Sequence, residues 1–434
     1  MTPSERLSPP TAGAIPATHN WRLVTAASIG NALEWFDLVV YGFFAATIAK
    51  LFFPAGDDTV SLLIALGTFG VSFFMRPLGA VVLGIYADRA GRKAALTLSI
   101  TLMMVGTLLI AAMPTYASIG VLAPIGLTLA RLIQGFSAGG EFGSATAFLA
   151  EHSPARRGFY SSFQVASQGL TTLLAALFGA VLTSALAPEQ MTAWGWRVPF
   201  FFGLCIGPVA YYIRRHTTET PAFLQAQPSE APLQEALGSN GARIVYGIGA
   251  VILATVATYL VLYMPSHAVR QLHLPPRVAF SAAVVTGLVQ MIASPIAGHL
   301  SDRIGRIALM RIGAIALLVL VYPAFLLLQT HPVEGALWLV QAVLGLLLAL
   351  YFAPLPALLA ELFPTRTRTT GMSLAYNLAA TLFGGFAPFI ITWLIATTGN
   401  PLAPAFYVMG AALISSAALW VIARRRWLMR DLAD

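Results

Sequence analysis

The sequence predicts an all-α membrane protein: twelve transmembrane helices arranged as two pseudo-symmetric six-helix bundles. Three observations carry this. Of 434 residues, 58% are hydrophobic and only 10% are Asp, Glu, Lys or Arg, whereas a soluble domain covers itself with roughly 25% charge. The mean hydropathy of +0.77 is spread along the whole chain, which points to many spans instead of one anchor. Two loop motifs also recur at nearly one offset, as duplication of a six-helix unit requires.

Apolar runs bounded by charges or by Pro and Gly clusters place the spans at about 22–50, 59–85, 94–113, 118–150, 159–186, 197–215, 243–270, 277–300, 307–329, 335–361, 370–397 and 402–424. Lys and Arg in alternate connections test the layout, because cytoplasmic loops carry the excess. Twenty fall on one side, including Arg76, Arg89, Arg92, Arg156, Arg303, Arg306 and Arg366. Four fall on the other, Lys50, Arg197, Arg270 and Arg277, and Arg131 is left inside a span. That imbalance places both termini in the cytoplasm.

The polar stretch 216–242, with Glu219, Glu230 and Glu235, separates six spans from six. The expected organisation is a disordered cytoplasmic tail over 1–20, a bundle over 21–215, a cytoplasmic linker over 216–242, a second bundle over 243–425 and a cytoplasmic tail over 426–434. Gly84-x-x-x-Asp88-Arg89-x-Gly91-Arg92 recurs as Gly298-x-x-x-Asp302-Arg303-x-Gly305-Arg306, an offset of 214 residues. Glu151-x-x-Pro154-x-Arg156 recurs as Glu361-x-x-Pro364-x-Arg366, an offset of 210.

The net charge of +8 would suggest nucleic-acid binding if it were clustered on a soluble face. The basic residues instead sit singly or in pairs between apolar runs, so no nucleic-acid partner is expected. Cys205 is the single cysteine, which excludes an intrachain disulfide and any cysteine-rich metal site.

The loop pattern Gly-x-x-x-Asp-Arg-x-Gly-Arg resembles the signature of the major facilitator superfamily. More specific phrases are Asn31-Ala32-Leu33-Glu34-Trp35-Phe36-Asp37, Arg76-Pro77-Leu78-Gly79, Arg131-Leu132-Ile133-Gln134-Gly135-Phe136-Ser137-Ala138-Gly139 and Trp194-Gly195-Trp196-Arg197-Val198-Pro199-Phe200. Together, over about residues 20–425, they resemble the metabolite:proton symporter branch. Gly158-Phe159-Tyr160-Ser161-Ser162-Phe163-Gln164, and Gly371 to Tyr376 followed by Phe383-Gly384-Gly385, are most similar to citrate and tricarballylate symporters. The resemblance implies a non-enzymatic transporter in a bacterial inner membrane, working as a monomer. It would import a small carboxylate with protons by alternating access. A dicarboxylate such as 2-oxoglutarate, shikimate, or a betaine- or proline-like zwitterion is the alternative substrate. A non-transporting membrane sensor is the alternative from another class.

The residues themselves point to a buried charge site. An ionisable group at a helix centre costs about 2.5–3.5 kcal/mol by insertion scales, so those present are informative. Glu34 and Asp37 lie about 18 and about 22 Å into the first span at about 1.5 Å per residue. They share a helical face with Tyr41. Arg131, on the antiparallel fourth span, reaches about 20 Å and can meet both acids. One guanidinium facing two carboxylates leaves one charge unmatched, which a bound proton settles. Glu34 and Asp37 are therefore the expected proton-coupling pair, and Arg131 is the expected substrate anchor, with Gln134 beside it. A fixed ion pair that only holds helices together is the alternative.

Polar stripes on other spans can complete a cavity for the oxygens of a hydroxy acid. They run through Gln164, Gln168 and Thr171; Thr255, Tyr259, Tyr263 and Ser266; and Thr286, Gln290 and Ser294. As a group, Gln168, Tyr259, Gln290 and Asn377 are the expected ligands, although each could equally hydrogen-bond a neighbouring helix. The loop residues Asp88, Arg89, Arg92, Glu141, Glu151, Asp302, Arg303, Arg306 and Glu361 are expected to gate the cytoplasmic face. The two aspartates would cap helix N-termini, and the arginines would pair with Glu151 and Glu361.

Gly135-Phe136-Ser137-Ala138-Gly139 matches the G-x-S-x-G pattern of hydrolases. It lies inside a span and not at a strand-to-helix elbow, and no histidine is near it in the bilayer, so catalysis is rejected. Scattered ligand types likewise predict no metal site and no cofactor.

Overall fold

The computed structural model describes residues 17–90, 92–139, 146, 149–150, 156–216, 232–364 and 367–425. Glu141 and Glu151, and the side chains of Asp88, Arg89 and Arg92, lie outside the described residues.

The chain up to residue 216 forms α1 (Ala17–Phe43), α2 (Ala45–Phe52), α3 (Asp58–Ala90), α4 (Arg92–Ala112), α5 (Tyr116–Ile119), α6 (Leu122–Ala138), α7 (Arg157–Ala185), α8 (Pro188–Ala193) and α9 (Val198–His216). From residue 232 it forms α10 (Pro232–Arg270), α11 (Pro276–Ile304), α12 (Arg306–Thr330), α13 (Glu334–Phe352), α14 (Leu355–Leu362), α15 (Arg368–Ala379), α16 (Ala387–Thr398) and α17 (Ala403–Arg424). Eight of the described spans are long and apolar enough to cross a bilayer alone, and the bent pair α1–α2 makes a ninth. The shorter α4, α6 and α9 complete the twelve passes. Their lipid-facing surface is apolar, with Phe74, Leu129, Val181, Ile296 and Ile315 more than half exposed. In a bilayer such exposure costs nothing, because lipid tails are as apolar as the side chains.

Four spans depart from uninterrupted helices. The first bends by 70° between α1 and α2, and the turn brings both Phe43 and Phe44 against Phe280 of α11, with ring centroids 6.0 and 5.5 Å away. Gly120, at φ +59°, separates α5 from α6, so the fourth pass starts later than its apolar run. Pro354 sits between α13 and α14, where it has no N–H to continue the ladder. Between α15 and α16, Ala380–Gly384 is wound as a π-helix, a distortion that recurs at functional sites. α10 begins at Pro232, so its first turns belong to the polar stretch 216–242.

The two sets of passes meet most closely along α7 and α11. A Cβ on Gly169 would lie 2.5 Å from the backbone N of Met291, and one on Gly298 would lie 2.5 Å from the carbonyl O of Gly158. Only glycine lets the two backbones touch there.

The two sets of passes are fastened at both ends, by α7 and α11 at one and by α3 and α10 at the other. At one end, Asp302 in the last turn of α11 accepts the backbone N–H groups of Gly158 and Phe159, each at 2.9 Å, at the start of α7. Arg306 braces it, 2.9 Å from Asp302 and 3.0 Å from Glu361. At the opposite end, Arg270 donates to the Asp58 carbonyl and to Thr59 Oγ1, both at 3.1 Å. The exposed Asp57 beside them accepts the N–H groups of Thr59 and Val60. The backbone N–H of Val60, then that of Thr59, holds its carboxyl below the usual range.

Candidate functional site

Among the described residues, Glu34, Asp37, Arg76 and Arg131 are the charges buried in the first, second and fourth passes, while Arg243 and Arg368 are buried near the starts of the seventh and eleventh. The sequence reading counts one arginine against two acids and assigns Arg76 to a cytoplasmic loop. In the fold, Arg76 stands within α3 and is 4% exposed, so the count is two against two. The expectation of one unmatched charge is therefore corrected. So is the expectation that Arg131 faces both acids, because the four groups separate into two pairs.

The first pair lies among α1, α3, α4, α6 and α9. Arg131 donates to Gln134 Oε1 at 2.8 Å and to Ser72 Oγ at 3.3 Å. Its guanidinium stacks over Tyr41 at 4.5 Å and Phe69 at 5.2 Å, contacts that are worth most where water is absent. Gln134 relays to the acid. Its Nε2 donates to Thr107 Oγ1 at 3.0 Å and to Asp37 Oδ2 at 3.4 Å, and Thr107 donates to the same carboxylate oxygen. The other oxygen, Oδ1, is buried without a hydrogen-bond partner. It faces Gly203 of α9, where a Cβ would stand 2.5 Å away. Tyr41 spends its hydroxyl on the Ala65 carbonyl at 3.1 Å, so its ring, not its oxygen, serves the site.

The second pair faces the seam. Arg76 lies 3.8 Å from Glu34, with its guanidinium over Phe73 at 4.4 Å and 6.0 Å from the Trp35 ring. Both rings also meet Tyr259 of α10, Phe73 edge-on at 5.4 Å and Trp35 stacked at 6.2 Å. The π-helical segment closes over the same spot: Thr381 donates to the Phe73 carbonyl at 3.0 Å.

The polar stripes divide into ligand candidates and helix fasteners. Gln164 accepts from Thr146 at 2.6 Å, Thr171 donates to the Ala32 carbonyl at 3.0 Å, and Thr286 donates to the Gln341 carbonyl at 3.1 Å. Ser294 and Thr255 bond their own helices. Both amide atoms of Gln168, the Nε2 of Gln290 and the hydroxyl of Tyr259 are buried without partners, as is the Nε2 of Gln164, whose Oε1 is taken by Thr146. Gln168 and Gln290 line a cavity together with Trp35, Thr172 and Thr258. It has room for about one water. The cavity is smaller than a di- or tricarboxylate. Asn377 donates to the Gly139 carbonyl at 3.0 Å, across to α6, while its Oδ1 is unpartnered.

Of the expected gating residues, Asp302, Arg306 and Glu361 form the fastening at the seam's end, and Arg303 is exposed. The helix that Asp302 caps is α7, across the seam, instead of its own successor α12. Asp88, Arg89, Arg92, Glu141 and Glu151 fall outside the described residues or side chains. Arg76 is the functional candidate that loop counting misses. Its place about nine residues inside the predicted end of the second span was the available signal.

A family model described as "Sugar (and other) transporter" matches residues 23–241, and one described as "Major Facilitator Superfamily" matches residues 246–430. The chain is 39% identical over 393 residues to a citrate-proton symporter of Salmonella typhi, covering 90% of this chain and 91% of that one. It is 35% identical over 432 residues to a proline/betaine transporter of Salmonella typhimurium, covering 95% and 86%. Among solved structures, a proton:xylose symporter superposes with a TM-score of 0.77 at 16% identity, covering 95% and 96%. The two matched halves, the twelve passes and full-length relatives of this identity place the chain in the major facilitator superfamily, in its metabolite:proton symporter branch.

Proposed function

We propose that the protein is a proton-coupled symporter that imports a small carboxylate, citrate or a related tricarboxylate, across a bacterial inner membrane, as a monomer with both termini cytoplasmic. Its two functional units are 21–215 and 243–425, joined by the cytoplasmic linker 216–242. The observation that carries the proton role is Asp37: a buried carboxyl with one oxygen unpartnered and the other linked through Gln134 to Arg131. A proton on Oδ1 removes a charge that Gln134 and Arg131 otherwise answer, and that change can be felt along α6. Arg131 has both terminal nitrogens engaged, so we assign it to this relay and not to direct substrate contact. Substrate belongs at this cavity, where the unpartnered amide of Gln168 and Nε2 of Gln290 suit carboxylate and hydroxyl oxygens. Similarity to citrate-proton symporters supports the substrate class.

The deciding experiment is uptake into proteoliposomes under an imposed pH gradient, run against a panel of carboxylic acids with proline and betaine as competitors. Citrate or a close analogue should accumulate, and Arg131→Ala should abolish accumulation while leaving membrane insertion intact. Normal proton-driven uptake by that variant overturns the relay. Accumulation of betaine alone, in line with the proline/betaine relatives, overturns the carboxylate reading.

A further inference from the structure

The geometry points to Arg76, and not Arg131, as the residue that grips the substrate's carboxylate, with Glu34 as the internal carboxylate that the substrate displaces. This rests on the carboxylate reading above and goes beyond it in naming the anchor and its competitor.

Three features of the two arginines separate them. Every partner of Arg131 belongs to the passes before residue 217: Gln134, Ser72 and the rings of Tyr41 and Phe69. Phe69 also meets Tyr259, edge-on at 5.9 Å, but both terminal nitrogens of Arg131 are engaged within their own half. Arg76 instead rests on Phe73 and Trp35, and both of those rings touch Tyr259 from the other half. Trp35 is also a wall of the cavity that holds Gln168 and Gln290. A molecule entering that cavity meets Arg76 around the edge of one indole.

The ion pair itself is long. At 3.8 Å the Glu34 carboxylate stands outside the range of about 2.7–2.9 Å that a charge-assisted hydrogen bond takes. A guanidinium presents a planar fork that two carboxylate oxygens fill side by side, and a contact at this distance does not fill it. An incoming carboxylate can, leaving the other end of a di- or tricarboxylate to Gln168, Gln290 and the Tyr259 hydroxyl. Exchange of one carboxylate for another keeps the charge on Arg76 matched throughout, so a buried cation is never left unpaired.

Citrate binding and counterflow, which needs no net proton movement, test this on the full-length protein in detergent and in proteoliposomes. Wild-type protein should bind citrate. Arg76→Lys should weaken binding tenfold or more, since an ammonium cannot reproduce the fork, while Arg131→Lys should change citrate affinity less than threefold. Glu34→Gln removes the competitor and should bind citrate at least threefold more tightly, a gain that misfolding cannot imitate. Equal affinity in wild type, Arg76→Lys and Glu34→Gln overturns the assignment while leaving the carboxylate reading standing. Greater loss in Arg131→Lys than in Arg76→Lys overturns it as well. Absence of citrate binding by the wild type overturns the reading on which it rests.

Discussion

The two oxygens of the Asp37 carboxylate have different surroundings: one takes hydrogen bonds from Thr107 and Gln134, and the other looks onto Gly203. A neutral amide at this position keeps the shape and cannot carry a proton. Asp37→Asn should therefore lose accumulation against a gradient, down to the level of empty liposomes, while citrate counterflow persists. Retained pH-driven accumulation would remove Asp37 from the coupling role. Gly203→Ala should be equally inactive in accumulation without any change of charge, because a Cβ there would press on Oδ1. Uptake at the wild-type rate would show that the contact is dispensable. At this scale the sequence was legible in part. Glu34, Asp37 and Arg131 stood out as rare charges in apolar surroundings, and depth arithmetic brought them to one level. Which acid faces which arginine was not legible, because three residues on one helix differ by about 60° in direction and only packing decides where that aims them. Arg76 escaped because it is counted with the loop cations although it stands well inside the predicted second span, 59–85, next to Pro77. A proline inside a membrane helix is tolerated where neighbouring groups satisfy the backbone.

The element that most constrains movement is the α7–α11 seam. Its glycines were visible in the sequence only as scattered small residues, since nothing in one strand of text says which helix a glycine faces. Gly169→Val inserts atoms where the Met291 backbone already stands. Overpacking of this kind costs about 1–3 kcal/mol, and here it falls on the closed arrangement alone. The expected result is faster labelling of a cysteine introduced at Thr172, on the cavity wall, measured in a Cys205→Ser background. Unchanged labelling would show that the helices absorb the extra volume. The kink after Phe43 and the π-turn at Ala380–Gly384 were likewise hidden. Both answer packing that is distant in sequence, Phe280 of the other half in one case, and Phe73 of the other half with Tyr259 of its own in the other, and local propensity carries no trace of it. The twelve spans themselves were legible, because hydropathy acts over whole windows.

For the molecule as a whole, the fastening of α11 to α7 at one end and that of α10 to α3 at the other oppose one another, and both are closed. Hydrogen bonds to a charged group contribute about 1.5–3 kcal/mol each. Loss of either fastening should tilt the balance of conformations by tenfold or more. Asp302→Asn should raise the reactivity of cysteines placed near Ser301, and Arg270→Ala should raise it near Asp58. The double variant should return toward the wild-type balance, and additive opening at both ends would argue that the two ends move independently. The repeated Asp-Arg-x-Gly-Arg motif announced this arrangement as two related halves. It did not announce that Asp302 reaches across to the first turn of α7, because a repeat in the text does not say which neighbour completes it.

Asp302 holds main-chain N–H groups, which every residue except proline supplies. Change at position 159 to any residue but proline therefore leaves this clasp's donors in place, whereas at 158 a Cβ would collide with Ser301 Oγ and stand 2.9 Å from Asp302 Oδ1, and is barred by space alone. A genetic screen for second-site revertants of a damaged Asp302 should accordingly find none at those two positions acting through side-chain chemistry. Revertants should map to the far end of the molecule, around Arg270 and Thr59, where weakening the opposing clasp evens the odds.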